Sequence, residues 1–583
     1  MSPGRRTVTE PIAIIGMSCR LPGADTLPEL WQLLVGREQR FRTVPSGRWQ
    51  GLEQAPGDSV RAALLDDIDG FDARFFGIAP RMAVWMDPQQ RMLLELAQQA
   101  MENAGLPPER LSGEPVAVLV GAFLSEYRDR MIAAGTTDTA AFPGTLMTFL
   151  ANRISYQFGW TGPSMVIDSA CSSSLSAVSV AVQGLLAGDF PLAVVAAANL
   201  TGAGFYPRTA LLAGALSPTG RSVPFSAGRD GYVRGEGGAC VVLKPLEEAL
   251  ADGDPVHAVI KAVCTAHNGR GGGLTATDSA SMVKLMESSA ARAGLSVRDL
   301  GFLEAHGTGT RSGDLAEIQA VAEVMDEARS AGREGAGPKG KIWIGSIKSN
   351  IGHLEGAAGL AGLVKAALAV QHGVIPGVAG LSSPDPGLPL TDSVGVTGAN
   401  VSWPDGAGLR RAAVNSFGLG GALSHAIVEQ PAGAGLVAAE PGSHRRLIVP
   451  VCARSGASLK VLVRRLVQEL DLRPAIAIAD VSWTLQFRRA GGPVRRVFVA
   501  ATTDELRELL NESLAGDEVV SAALPADLGA MEQDLATRWL DGQTVDWAGL
   551  WNPLRPGRPV HLPGTPFDRK PYWFDDLFSA ARG

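Results

Sequence analysis

Short apolar runs of strand length alternate with stretches of helical periodicity through the first 430 residues or so of the chain. PIAIIGM, ERLSGEPVAVLVGAF, SMVIDSA, LAVVAAAN and ACVVLKPL read as strands, and the segments between them as helices. Such alternation predicts a layered α/β domain. In DPQQRMLLELAQQAMENAG, residues 87–105, Met92, Leu93, Leu96, Ala100 and Met101 recur on one helical face, and Gly105 supplies the stop. That pattern predicts an amphipathic helix.

The texture changes near residue 431. PAGAGLVAAEPGSH is a linker by composition, and RRLIVPVCARS, SLKVLVRRLVQELD, VRRVFVAATTD and DELRELLNESL then read strand, helix, strand, helix. From Met531 the chain has two amphipathic pieces and then RPVHLPGTPFDRKPYWF, where prolines forbid a helix and aromatics require a surface to cover. Three units are therefore expected: a large α/β domain over 9–430, a linker with a small α/β unit over 431–530, and a C-terminal strap over 531–583 that wraps back over the large domain.

Composition narrows the function classes. A formal net charge of −7 leaves no basic footprint for nucleic acid. Cys19, Cys171, Cys240, Cys264 and Cys452 are odd in number and scattered, with no CxxC pair for a metal or a redox couple. A reducing, cytoplasmic setting is expected. The apolar stretches are broken by Gly, Asp or Lys before membrane-spanning length, so no membrane anchor is expected.

The chemistry centres on IDSACSSSLSAV, residues 167–178. SMVIDSA is a strand, and Leu175, Val178, Val182 and Leu185 recur at helical spacing, so Cys171 falls at a strand-to-helix turn. A lone cysteine taken by itself reads as one more small buried residue, which the rest of the sequence has to overturn. The free N–H groups of a helix start would lower the thiol pKa and could hold an oxyanion. Ser172, Ser173 and Ser174 read as caps of that turn.

Two of the eight histidines stand in glycine-rich segments that follow apolar strands: His306 in EAHGTGTRSGDLAE and His353 in GSIKSNIGHLEGAAGLAGLVKAAL. Thr308 and Thr310 are two apart on one side of an extended segment, suited to bonding the amides of a long, thin substrate.

EPIAIIGMSCRLPGA, MDPQQRMLLELAQQAMENAG, ANRISYQFGWTGPSMVIDSACSSSL, EAHGTGTRSGD, SIKSNIGHLEGAAGLAGLVK and NSFGLGGALSHAIVEQ resemble, in order and spacing, the motif series of a ketosynthase domain of modular type I polyketide synthases. The resemblance implies a thiolase fold, a duplicated βαβαβαββ in layered α/β arrangement, normally homodimeric. It implies that Cys171 accepts an acyl chain from the phosphopantetheine arm of an acyl carrier protein. His306 and His353 would then promote decarboxylative Claisen condensation with a malonyl-type carrier protein, giving a β-ketoacyl thioester. By the same resemblance Lys348, Asp314 and Glu317 support the histidines, and the backbone N–H groups of Cys171 and Leu419 form the oxyanion hole. Thr308 and Thr310 would bind phosphopantetheine, and Phe417, Leu419, Ala422 and Leu423 would line the substrate cavity. No bound cofactor and no metal are implied.

The small unit resembles the linker domain that normally precedes an acyltransferase. Here it runs within about 20 residues into MEQDLATRWLDGQTVDWAGLW, with no GxSxG elbow between. This is the arrangement of trans-acyltransferase synthases, in which a separate acyltransferase charges the carrier. No carrier serine motif, reductase GxGxxG loop or dehydratase signature is present, so the chain is expected to hold the condensing unit alone, as a separate polypeptide or as part of a larger one.

Several positions depart from the family pattern: GGALSH replaces GGTNAH, GDLAE carries Leu315, AHNG stands for NxDG, and Ser179 occupies a position that is often His. Alternatives are a non-elongating transacylase ketosynthase and a non-catalytic docking partner. Retention of His306 argues against the first and Cys171 against the second. A thiolase would need a second catalytic cysteine, which the GGALSH region lacks.

Overall fold

Strands buried on both faces account for the continuous apolar runs. The computed structural model describes residues 10–49, 60–136, 138–270, 273–330, 332, 340–403, 408–432, 445–489, 491–520, 524–551 and 557–575. Most of the expected linker (433–444) and parts of the expected strap (552–556 and 576–583) lie outside the described residues.

Eleven strands form one mixed sheet: β1 (Ile12–Arg20), β2 (Val116–Gly121), β3 (Ser164–Ile167), β4 (Leu192–Asn199), β5 (Gly237–Pro245), β6 (Ala258–His267), β7 (Phe302–Glu304), β8 (Ile342–Gly345), β9 (Val394–Val396), β10 (Arg411–Phe417) and β11 (Ala422–Glu429). Their order is β9-β8-β7-β10-β11-β6-β1-β5-β4-β2-β3. In the first half β2 runs parallel to β3 and β4, β4 antiparallel to β5, and β5 antiparallel to β1. The second half repeats this: β7 runs parallel to β8 and β10, β10 antiparallel to β11, and β11 antiparallel to β6. β1 and β6 join the halves, and β9 is added outside β8. This is the duplicated order of the thiolase fold, as the motif series implied.

The principal helices are α1 (Pro88–Asn103), α2 (Ser173–Ala187), α3 (Ser279–Arg292), α4 (Arg311–Ser330) and α5 (Ala358–His372). Helices α2 and α5 follow the equivalent strands β3 and β8 and pack together in the central core. In β2, Ala117 and Leu119 face that core, while Val116, Val118 and Val120 face the outer core around α1. The segment 170–187, which contains α2, is long and apolar enough to cross a membrane, yet α2 packs inside the protein core.

Helix α1 is buried well beyond its apolar stripe. Gln89, Gln90, Arg91, Glu95, Gln98 and Glu102 on its polar side are also buried. The C-terminal segment 557–575 covers Arg91, Glu95 and Glu102, whereas Gln89 and Gln90 donate to the Leu124 and Gly144 carbonyls of the large domain. Arg91 donates to the Tyr572 carbonyl at 2.6 Å, Glu102 accepts from the Thr565 N–H and hydroxyl at 2.5 and 2.8 Å, and Glu95 pairs with Arg569 at 2.7 Å. These polar groups therefore meet main-chain and side-chain partners instead of water.

The small unit pairs β12 (Leu447–Ala453) antiparallel to β13 (Val494–Ala500) and packs α6 (Gly456–Leu472), α7 (Ile478–Phe487) and α8 (Thr503–Ser513) around its own apolar core. Leu562 of the C-terminal segment enters that core, whereas Phe567, Tyr572 and Trp573 pack on the large domain.

Candidate active site

Cys171, His306, His353 and Leu419 all come just after the C-terminal ends of parallel strands (β3, β7, β8 and β10), where an open α/β sheet presents its ligands. The turn after β3 is tight. Ala170 has φ 54°, a left-handed conformation that costs a non-glycine residue of the order of 1–3 kcal/mol. It brings Cys171 into a single helical turn (Ala170–Ser172) ahead of α2.

The three serines do not cap α2 as expected. The Ser172 hydroxyl donates to the Ser169 carbonyl at 2.8 Å, and Ser173 accepts from the Ser169 N–H at 2.9 Å. Ser174 accepts from the N–H of Leu360 at 3.0 Å and so ties α2 to α5. Because the turn starts with a 3-10 segment, these hydroxyls bond backward and across.

The thiol also departs from its expectation. Cys171 is buried, and burial, reinforced by the Glu355 carboxylate, pushes it up to about 12. The Lys348 ammonium and the N–H groups of Leu419 and Cys171 pull the other way without overcoming it. Both N–H groups thus lie close enough to the sulfur to favour its thiolate form. The Ser416 hydroxyl holds the Cys171 carbonyl at 2.9 Å. At Gly418 a Cβ would stand 2.1 Å from the Ser169 carbonyl oxygen, so only glycine lets the 418–421 turn approach the thiol this closely.

His306 and His353 lie with ring centroids 5.5 Å apart and planes at 81°. The Phe417 N–H donates to His306 Nδ1 at 3.3 Å, and the Glu355 N–H donates to His353 Nδ1 at 2.9 Å. Each Nδ1 is therefore an acceptor, and each neutral ring carries its proton on Nε2. Burial and then the nearby Lys348 charge hold both imidazoles well below the usual histidine range, so they stay neutral. Lys348 is itself buried, which lowers its pKa, while Glu304 and Glu317 support its charge.

The supporting acids are positioned by backbone groups. Glu317 accepts from the N–H groups of His306 and Gly307, both at 2.8 Å, and from Asn415 Nδ2 at 2.8 Å. Burial raises its pKa against these bonds. Asp314 accepts from the N–H groups of Phe225 (2.8 Å) and Gly309 (3.0 Å), and burial pushes it up to about 7. The Thr308 and Thr310 hydroxyls meet at 3.0 Å on a half-buried edge.

The expected cavity residues do not behave alike. Phe417 packs beside His306, with centroids 5.4 Å apart, and Leu419 is exposed. Leu423, however, is buried in the outer core of the second half, because the alternation of β11 turns it away while Ser424 bonds Ser176 on α2 at 3.1 Å.

Sequence reasoning missed a second layer. Arg234 donates to both Glu355 oxygens at 2.6 and 2.8 Å and to Glu126 at 2.6 Å, and those carboxylates hold its charge against the cost of burial. Glu126 in turn accepts from the N–H groups of Gly202 and Ala203. Asn415 also contacts His425 Nδ1 at 2.6 Å, which links the GGALSH histidine to Glu317. The available signal was the charge embedded in apolar or glycine-rich stretches, such as Arg234 in YVRGEGG and Lys365 in GLVKAAL.

Residues 9–249 match the family model described as Beta-ketoacyl synthase, N-terminal domain, and residues 257–382 its C-terminal domain. Residues 384–499 match the Ketoacyl-synthetase C-terminal extension. Among curated proteins the chain is 36% identical to 5-methyl-1-naphthoate synthase of Streptomyces sahachiroi, with 94% of the chain and 31% of that protein aligned. It is 38% identical to one phenolphthiocerol/phthiocerol polyketide synthase polypeptide of Mycobacterium tuberculosis, over 95% of the chain and 30% of that protein. The chain thus spans about a third of these relatives.

Two solved structures are similar throughout. A ketosynthase from module 6 of the bacillaene synthase of Bacillus subtilis aligns with TM-score 0.84 and 30% identity, covering 97% of this chain and 100% of that one. An oxazolomycin ketosynthase domain from Streptomyces albus aligns with TM-score 0.83 and 31% identity, covering 97% and 98%.

Proposed function

The chain belongs to the β-ketoacyl synthase family, and on that premise we propose that it elongates polyketide chains held on acyl carrier proteins. In the first step the Cys171 sulfur attacks the thioester of an incoming acyl-phosphopantetheine. The N–H groups of Cys171 and Leu419 hold the oxyanion, the C–S bond to pantetheine breaks, and the thiol proton ends on the departing sulfur. In the second step a malonyl-type thioester loses carbon dioxide, and the Nε2–H groups of His306 and His353 stabilise the enolate. The enolate carbon attacks acyl-Cys171, a C–C bond replaces the C–S bond, and the leaving thiolate recovers a proton.

The observation that carries this reading is the matched pair of neutral imidazoles. Each has Nδ1 occupied by a backbone N–H and its proton on Nε2, beside a buried ammonium that opposes a second protonation. Two neutral donors suit a thioester carbonyl on its way to an enolate. Thr308 and Thr310 offer hydroxyls to the pantetheine amides.

The extender would be loaded by a separate acyltransferase. Residues 514–529 alone separate α8 from the helix Ala530–Leu540, which leaves no room there for an acyltransferase domain. A homodimer is supported by β3, the edge strand of the large sheet, which exposes Met165. Separate cores support a ketosynthase over 9–430 and a small flanking unit. Leu535, Trp547 and Trp551 of the expected strap, however, pack with Ile448, Val497 and Val499 of the small unit, so the strap over the ketosynthase is the segment 557–575 and not all of 531–583.

The experiment combines the protein with an acyl-carrier protein and then a malonyl-carrier protein, followed by intact mass. Wild type should acylate Cys171 and yield a ketoacyl carrier. His306→Ala and His353→Ala should keep acylation and lose condensation by about 100-fold or more. Acylation with no ketoacyl product in the wild type overturns elongation and leaves acyl transfer. No acylation of Cys171 overturns both.

A further inference from the structure

The oxyanion N–H of Leu419 sits on a turn with little side-chain packing to hold it. Leu419 is 61% exposed, and Gly418, Gly420 and Gly421 have no side chains. Gly420 and Gly421 adopt φ 103° and 94°, where glycine moves with little penalty. Bonds within the turn join the Gly418 N–H to the Ala422 carbonyl at 2.7 Å and the Gly421 N–H to the Gly418 carbonyl at 3.1 Å. These shape the turn without fixing where it lies relative to Cys171.

External bonds come from the end of β6, from the AHNG segment that departs from the family pattern. His267 Nε2 lies 2.9 Å from the Gly420 carbonyl oxygen. The Gly269 N–H donates to His267 Nδ1 at 2.9 Å, so Nδ1 is the acceptor and Nε2–H is the donor toward Gly420. The Asn268 N–H donates to the Gly421 carbonyl at 2.9 Å. At Gly421 a Cβ would stand 3.1 Å from the His267 ring, so the imidazole lies directly against the turn. The pairing of Ala422 with His267 brings the two segments into register.

The geometry points to His267 as a positioning residue for the oxyanion hole: its Nε2–H holds the Gly420 carbonyl and thereby fixes the neighbouring Leu419 N–H against the Cys171 sulfur. His267 touches no reacting atom and acts through the backbone. Its backbone bond is shared by any residue at this place, but the Gly420 contact belongs to the imidazole. The assignment rests on the reading of Cys171 as the acyl acceptor and adds a determinant of its first step.

The test is single-turnover acylation of Cys171 by a short acyl thioester of N-acetylcysteamine, read by intact mass across thioester concentrations. His267→Ala should lower the maximal acylation rate about tenfold, a fraction of what losing an oxyanion donor costs, with the half-saturating concentration and the melting temperature unchanged. His267→Gln, whose amide can donate from the place of Nε2, should restore most of the rate. An unchanged rate in His267→Ala overturns the assignment, as does a Gln variant as slow as Ala or a loss confined to half-saturation. A wild type that does not acylate overturns the reading of Cys171 and this assignment together; a wild type that acylates alongside an equally fast Ala variant overturns the assignment alone.

Discussion

Ala170 and Glu355 occupy the same place in the two halves of the molecule. Each follows the third strand of its half, each has positive φ (54° and 47°), and each begins a 3-10 turn that leads into a central helix. The duplicated backbone puts Cys171 inside one turn and His353 just before the other. The two turns touch across the pseudo-symmetric centre.

Ala170 should therefore be sensitive to shape and not to loss of contacts. Ala170→Gly relieves the left-handed backbone and should keep both melting temperature and Cys171 acylation at or above wild type. Ala170→Val places a β-branched residue at φ 54° and should lower the melting temperature, at a cost of about 1–3 kcal/mol, and slow acylation. Thermal melts with intact-mass acylation check both.

The buried thiol predicts a pH dependence. A pKa pushed up to about 12 means that Cys171 is a thiol at neutral pH, with the thiolate fraction rising about tenfold per pH unit through the alkaline range. Alkylation of the free enzyme by iodoacetamide should be slow at pH 7 and climb with no plateau below pH 9. A plateau near pH 7 would show instead that the helix start outweighs burial.

Glu304 and Lys365 form an ion pair at 2.6 Å with both side chains almost wholly buried, and Glu304 also accepts the Ile347 N–H at 2.6 Å. Removing one partner strands a buried charge at a cost of about 3–5 kcal/mol. Lys365→Met and Glu304→Gln should each lower stability to denaturant by that order. The double variant Glu304→Gln with Lys365→Met should recover part of the loss, as a double-mutant cycle reads directly.

His257 and His561 stack with centroids 3.3 Å apart where the strap meets the large domain. Burial holds His257 at about 3 and His561 well below the usual range, with Arg473 adding to both. The folded state thus binds fewer protons than the unfolded chain between the two pKa values. The stability this contributes is full above pH 6.5 and is lost as pH falls toward 3. Melting temperature should fall steadily from pH 6.5 to pH 4, and a variant with His257→Gln and His561→Gln should show a shallower slope. Equal slopes would exclude these rings as the source.

Much was legible in the chain itself. Strand alternation with helices, the turn at Cys171 and the glycine-flanked His306 and His353 are local patterns, and local patterns survive in one dimension. What the tertiary structure decided were the properties that depend on neighbours distant in sequence. The apolar stripe of α1 is legible, yet the partners of Arg91 and Glu102 on its other side lie more than 450 residues away in sequence. The Cys171 turn reads as an acidifying helix start, yet the packing around it desolvates the thiol and brings Glu355 close. Arg234 carries no motif of its own, and its bond to Glu355 exists only because the two halves converge; Asn415 and His425 stand in a recognisable motif, but their link to Glu317 appears only once the second half is folded. Sequence determined which residues could do the chemistry, because reactivity begins with side-chain type and local backbone. Folding determined their charge states and partners, because desolvation and hydrogen bonding are set by whatever the rest of the chain places beside them.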